Sequence, residues 1–248
     1  MYRPRDKATP PAKLTKISSA EHDILKQNGQ TDHEFWNVNT GDHVALIKDF
    51  RKEIKSHYWH IQGRRCCYCS KELDAHQGSY DAEHILPKVN FPQFMFEFIN
   101  LAIGCKTCNS RKSDKDIHKG VTNLTEVPLD TAYYSIIHPH FDEWTDHLCF
   151  DIYGRVAPKN DDAKGIATIR ICGITFLNAA RLADYFDPGQ RKEVQKALEI
   201  LCGEDNLVKK LKKLKLLRLL VDDHGLEKAA PILDLLEAEY KDSGGKFI

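Results

Sequence analysis

The stretch that decides this chain runs from Cys66 to Lys112. It opens with Cys66-Cys67-Tyr68-Cys69 and continues through Asp81-Ala82-Glu83-His84-Ile85-Leu86-Pro87 and Asn100-Leu101. It closes with Cys105-Lys106-Thr107-Cys108-Asn109-Ser110-Arg111-Lys112. Two cysteine pairs, Cys66/Cys69 and Cys105/Cys108, bracket the 35 residues 70–104. Two residues between thiols let a tight turn aim both sulfurs at one ion. Two such knuckles form a tetrahedral set of four sulfurs, which suits zinc. That set leaves no open position for water, so the expected zinc is structural. Cys67 stands outside it, because using Cys67 in place of Cys66 shortens the spacer to one residue. Buried free thiols or a redox pair are the alternative for the same residues.

The residues between the knuckles carry the chemistry. Hydrolysing a phosphodiester requires an activated water and a sink for the charge on phosphorus and the leaving oxygen. A neutral imidazole is the natural base near pH 7, and His84 is the candidate. Glu83 and Asn109 offer hard oxygen ligands of the kind Mg²⁺ or Mn²⁺ takes. Each residue alone has an ordinary explanation. Glu-His pairs are commonly solvated, Asn100 can cap a turn, and Asn109 can cap the helix that follows it. Neighbours on a strand also point to opposite faces, so Glu83 and His84 need a turn or distortion to serve one centre.

The order CxxC, acid-His-x-x-Pro, Asn-Leu, CxxCNxxK resembles the HNH endonucleases over about residues 64–116. The resemblance implies an α+β, mostly helical chain. Its ββα-metal HNH core is stapled by a four-cysteine zinc site and flanked by N- and C-terminal helices. It further implies that His84 deprotonates water, that Glu83 and Asn109 hold a catalytic Mg²⁺ (or Mn²⁺), and that Asn100 orients the base and braces its loop. Lys112 matches the last motif position and, with Arg111, is expected to contact substrate phosphate. Products would carry a 5′ phosphate and a 3′ hydroxyl. Glu83 stands where many members have Asp, and Asn109 where many have His.

Composition limits how nucleic acid can be held. Lys+Arg and Asp+Glu are both 36 among 248 residues, so the formal net charge is zero. Binding must rest on a local patch or on a partner. Lys106, Arg111, Lys112, Lys115 and Lys119 form one such patch, five basic residues against two acidic over residues 101–120. Residues Met1 to Leu14 are charged and Pro-rich without the apolar segment of a secretory signal. No apolar run approaches the ~20 residues of a membrane span. Two CxxC pairs in such a chain point to a reducing, cytoplasmic setting. Cys67, Cys149, Cys172 and Cys202 show no disulfide framework.

Four regions are expected: 1–63, an exposed tail followed by helices; 64–120, the nuclease core; 121–165, loops and short strands; and 166–248, a helical region. In the first region Ser18 and Glu21 have capping-box spacing, and Gly29 can end that helix. A longer helix is expected over about Asp42 to Gln62, burying Val44, Ile47, Arg51, Ile54, Tyr58 and Ile61, with Gly63 as its stop. Later, Asp187-Pro188 reads as a helix start and Gly203 as a stop. Leu207, Leu211, Leu214 and Val221 form an apolar stripe among solvated lysines, packed on the core with some partner contact. The dense group His138, His140, Asp142 and His147 is either a second metal site or, the favoured reading, a structured loop. His118 is a weaker site candidate.

Beyond the motif, the run from His138 to Arg155 and the segment Ile169-Arg170-Ile171-Cys172-Gly173 are similar to the nuclease subunits of Septu anti-phage systems, also found beside some retrons. That resemblance implies an ABC- or SMC-like ATPase partner and a nucleic-acid substrate, DNA favoured over RNA. Two alternatives remain: a stand-alone restriction- or homing-type HNH nuclease, and a zinc-stapled scaffold that binds nucleic acid or protein without cutting.

Overall fold

The computed structural model describes residues 2–120, 123–186, 188–202, 204, 206–223 and 229–242. The chain is α+β and mostly helical, with two small sheets. It divides into two compact units. The first takes Met1–Cys149 and Pro158–Cys172, the second Phe150–Ala157 and Gly173–Ile248. Among the described residues no single helix is long and apolar enough to cross a membrane.

The first unit begins with a segment that is packed rather than exposed, against expectation. Arg5, Ala8, Leu14 and Ile17 are buried. The reason is local: the Arg5 guanidinium donates to the carbonyl of Cys67 at 2.7 Å, and the Ala8 amide donates to Pro139 O at 3.0 Å. Prolines here fix extended backbone that can lie along a surface. Helix α1 (Ser19–Gly29) follows, and its capping box forms as the spacing predicts, Ser18 and Glu21 each satisfying the other's amide.

Helix α2 (Val44–Ile61) is the scaffold of this unit. Its buried stripe is Ile47, Phe50, Ile54 and Tyr58. Arg51, expected on that stripe, is exposed, and Phe50 takes the core position. A stripe at spacings of three and four accommodates either neighbour, and the guanidinium is far costlier to bury than the ring. Gly63, at φ +63°, ends the helix in the left-handed region that side chains avoid. A Cβ there would also clash with the Asp6 carboxylate.

Strand β1 (Tyr80–His84) pairs antiparallel with β2 (Leu101–Cys105), Glu83 opposite Ala102 and His84 opposite Leu101. Between them lie two single-turn 3-10 helices, Pro92–Phe94 and Phe98–Asn100. Helix α3 (Lys106–Lys112) leaves directly from the end of β2. Next come a four-residue helix α4 (Trp144–His147), a short hairpin of β3 (Leu148–Phe150) with β4 (Val156–Pro158), and helix α5 (Ala163–Ile171).

The second unit packs α6 (Ile174–Ala183), α7 (Arg191–Cys202), α8 (Leu207–Asp223) and α9 (Ala230–Asp242) around one apolar cluster. Leu198, Leu214, Leu217, Val221, Leu233 and Leu236 are central to it. Leu214 and Val221 face inward as expected, and Leu207 and Leu211 pack at the cluster's edge. Lys210 is not solvated. It is buried with its ammonium 5.3 Å from the Tyr240 ring, so its stem covers apolar surface. The Asn178 amide pairs with both backbone groups of Val156 at 2.9 Å. The helix start at Asp187 and the stop at Gly203 lie outside the described residues.

Candidate functional site

The two knuckles meet. Among the described residues, Cys66, Cys69, Cys105 and Cys108 form the one group of three or more His, Cys, Asp or Glu side chains whose ligand atoms lie within 4.8 Å of one another. All four are buried. Ser70, at φ +58°, closes the first knuckle, with its amide on Cys66 O at 3.1 Å. The second knuckle is the start of α3, where the Cys108 amide donates to Cys105 Sγ at 3.4 Å. Gln62 ties the two halves, donating to Arg65 O and Ile103 O and accepting from the Ile103 amide, all at 2.8–3.0 Å. Burial pushes the Cys66 thiol up, but the surrounding cysteine donors outweigh it and hold Cys66 well below the ordinary thiol value. Neighbouring Cys105 and Cys66 push Cys69 and Cys108 well above it. Four converging sulfurs are a set that a dication completes by letting all deprotonate together. This buried group can bind zinc. Cys67 lies outside it, its amide on Ile103 O at 3.0 Å.

Glu83 and His84 sit at the end of β1 and go opposite ways, as adjacent strand residues do. Glu83 turns inward. Lys112 Nζ is 2.8 Å from its Oε1, and Tyr68 Oη donates to the same oxygen at 3.1 Å. Its Oε2 is buried with no hydrogen-bond partner. Burial raises the Glu83 pKa, and Lys112 and Tyr68 only partly offset that. An orphaned buried carboxylate oxygen is costly, and a ligand ion or water is the usual remedy. Asn109 stands one turn before Lys112 on α3, its Cβ and Glu83 Oε2 both within 4 Å of the space beside Gly104.

His84 turns the other way, into a pocket of about 260 Å³ shared with Trp36, Arg51, Lys55, Asp81, Lys88 and Asn109. The edge of its ring packs on Trp36, centroids 4.4 Å apart. Its Nε2 lies 3.1 Å from Met95 O. A carbonyl only accepts, so Nε2 carries the hydrogen and Nδ1 keeps its lone pair. Burial lowers the His84 pKa to about 3, reinforced by Lys112 and Lys88, so the ring is neutral at physiological pH. Asn109 donates from Nδ2 to Asp81 Oδ2 at 2.9 Å, which leaves its amide oxygen for another partner. Asp81 also pairs with Lys106.

Asn100 does not reach the pocket. Fully buried, it accepts from the Leu86 amide at 2.7 Å and donates to Leu86 O and Phe94 O at 3.1 Å. It thereby fixes the turn that follows His84. Lys112 is buried too, between Glu83 and the carbonyl of His84 at 2.8 Å, while Arg111 is exposed on α3. His118 lies apart, its ring edge on Phe91 and Nε2 3.1 Å from Asp116.

The His138, His140, Asp142, His147 group is a hydrogen-bonded loop. Asp142 accepts from the His138 amide at 2.7 Å, pairs with Lys164 at 2.8 Å, and has His147 Nε2 at 3.6 Å. His140 Nε2 bonds Leu101 O at 2.8 Å, and His138 stacks on Phe141. Their ligand atoms do not converge on one point as the cysteines' do.

Several residues of the pocket carry no motif. Asp81, which strand alternation sets on the Glu83 face and not with His84, reaches the pocket beside its partner Asn109. Arg51, Lys55, Lys88 and Trp36 come from other elements and leave no local trace.

No family model matches the chain. It is 27% identical over 125 residues to the Septu protein PtuB of Bacillus thuringiensis, an alignment covering 50% of this chain and 42% of that protein. The chain thus spans under half the length of the relative it matches. This distant similarity supports a Septu-like relation.

Proposed function

We propose that this chain is a metal-dependent endonuclease of the HNH type, the effector nuclease of a Septu-like anti-phage defence complex. The observation that carries the activity is His84: neutral, with Nε2–H fixed on Met95 O and Nδ1 free, in a pocket ringed by Asp81, Asn109 and three cations. The fixed tautomer and its place among these groups suit a base for water beside a phosphate, whose entry must raise the low His84 pKa for it to act. The turns and strands of residues 64–112, with β1, β2 and α3, are read as the ββα-metal unit, and the four cysteines as its zinc staple.

The orphaned Glu83 Oε2 and the unused amide oxygen of Asn109 fit a hard divalent cation, and they are the residues that would hold Mg²⁺ or Mn²⁺. Such an ion, when bound, supplies positive charge to the scissile phosphate and the departing oxygen. The chain's own groups do the rest. His84 Nδ1 takes the proton of water. Met95 O stabilises the resulting imidazolium through Nε2–H. A phosphate entering the pocket offsets Lys88, one of the charges that lower the His84 pKa, and so strengthens the base. Asn100 holds the turn, and Lys112 holds both Glu83 and the His84 carbonyl. Arg111, exposed on α3, is placed to meet substrate phosphate.

DNA is the expected substrate, and an ATPase of the ABC or SMC-like class the expected partner. The likeness to PtuB supports the defence role, and the zero net charge fits shared substrate grip. The test is cleavage of plasmid DNA and total RNA with added Mg²⁺, by the chain alone and co-expressed and co-purified with a Septu-type ATPase. Magnesium-dependent cutting is expected. Its absence in both preparations favours a zinc-stapled binding scaffold.

A further inference from the structure

The pocket beside His84 is built largely by an element outside the motif. Arg51 and Lys55, four residues apart on α2, reach it from one side, and Lys88 from the other. Each cation is held in place by a neutral group. Arg51 lies 5.6 Å over the Trp36 ring, Lys55 lies 4.9 Å over Tyr80, and Lys88 donates to His33 O at 3.0 Å. Two carboxylates stand nearby. Asp81 is already shared by Lys106 and Asn109, and Glu34 reaches Lys88 only at 4.0 Å. The acids on α2 itself do not neutralise the site. Glu53 is bound to Thr15 and to the Lys16 amide at 3.0 Å, and Asp49 lies two residues from Arg51, about 200° around the helix. Local charge is therefore positive in a chain whose total is zero.

The row does not end at the pocket. Lys48 is exposed on the same α2 face, three residues before Arg51 and seven before Lys55. At 1.5 Å per residue that row is about 10 Å long, more than one phosphate group occupies. A polymer of phosphates fits it better than a single anion.

We infer that the face of α2 bearing Lys48, Arg51 and Lys55, together with Lys88, seats the phosphodiester backbone of the nucleic acid and leads it past His84. The inference rests on the nuclease reading for the meaning of His84, but its own claim is about binding. In it α2 and Lys88 add phosphate contacts to that of Arg111 on α3, where Lys112 is buried and makes none.

The test is equilibrium binding of fluorescein-labelled single-stranded DNA, and RNA of the same sequence, with no divalent metal added, across a series of salt concentrations. Each lost phosphate contact reduces the slope of log affinity on log salt by about 0.7 for a single strand. The triple variant Arg51→Gln, Lys55→Gln, Lys88→Gln is therefore expected to lower the slope by about 2 and weaken binding at least tenfold at low salt. The charge-keeping variant Arg51→Lys, Lys55→Arg, Lys88→Arg is expected to keep the slope, and it controls for folding. Equal effects in both arms assign the site to the shared backbone, and an effect in one arm assigns it to that polymer. No binding by the wild type, or an unchanged slope in the triple variant, overturns the inference. Binding that behaves as expected without cleavage in any metal would count against the nuclease reading alone. Cleavage with an unchanged slope would count against this one alone.

Discussion

The Lys112 ammonium lies 2.8 Å from the Glu83 carboxylate, with both side chains at 2% exposure or less. The same ammonium donates to His84 O at 2.8 Å. One buried cation therefore sets the position of two consecutive residues that face opposite ways. Lys112→Met leaves Glu83 buried without its counter-charge, which costs about 3–5 kcal/mol when one partner of such a pair is removed. The double variant Glu83→Gln, Lys112→Met removes both charges and should recover most of that loss. Urea unfolding at pH 7 measures both. A single-variant loss below about 1 kcal/mol, the range of exposed pairs, would show that the pair does not hold the site.

His84→Ala should lower cleavage by about 10²–10⁴, the usual contribution of a positioned base. Fold and zinc content should stay at wild-type levels, since the ring contributes one hydrogen bond and one contact with Trp36. Magnesium-dependent plasmid cleavage and circular dichroism check the two halves. Wild-type cleavage by the variant would remove His84 from the reaction.

Asn109→Ala should act differently, because the proposed ion and not the base loses a ligand. The Mg²⁺ concentration needed for half-maximal cleavage should rise by ~10-fold or more, with partial recovery at high Mg²⁺. Asp81 loses its Asn109 partner but keeps Lys106. An unchanged Mg²⁺ dependence would reassign the ion to other groups.

What could be read beforehand follows the range of the forces involved. Each cysteine knuckle and the capping box at Ser18 rest on contacts a few residues apart, and they are where spacing puts them. The inward turn of Glu83 is not legible that way, because its partners Tyr68 and Lys112 are set by the packing of a knuckle and a helix. Spacing alone sets Arg51 on the buried side of α2, because a stripe at intervals of three and four does not separate it from Phe50. The packed N-terminal segment rests on long-range contacts, Arg5 with Cys67 O 62 residues away and the Ala8 amide with Pro139 O.

Cys105→Ser removes one of the four converging sulfurs while keeping an oxygen that can accept from the Cys108 amide. A hydroxyl does not ionise at neutral pH, so the zinc set would lose a thiolate. Zinc measured by plasma emission should fall from about one per chain to a small fraction, and thermal unfolding should move down together with it. Wild-type protein treated with a strong chelator should reach the same unfolding temperature. A stable, zinc-free variant would show that the cysteines pack without an ion.

The buried histidines of the 138–147 loop make stability depend on pH in a window set by their own chemistry. Burial lowers His140 to about 4 from an ordinary 6.5, and it holds His138 well below 6.5. The folded values lie below the unfolded ones, so above pH 6.5 both states are neutral and stability is complete. As pH falls below 6.5 the unfolded chain takes up protons that the folded chain refuses, and stability is lost progressively to about pH 4. At ~1.4 kcal/mol per pKa unit, His140 alone accounts for about 3 kcal/mol of that loss. Asp142 is held below its ordinary value of 3.8 against burial by His138, Lys164 and Thr131, and its loss falls below this window. Zinc release would also cost stability as acid titrates the cysteines. The readout is therefore the difference between wild type and His140→Phe in urea unfolding at pH 7 and pH 5. The variant lacks the bond to Leu101 O at both pH values, so it should be less stable throughout but lose less on acidification. Equal losses in the two proteins would show that His140 takes no part in the acid response.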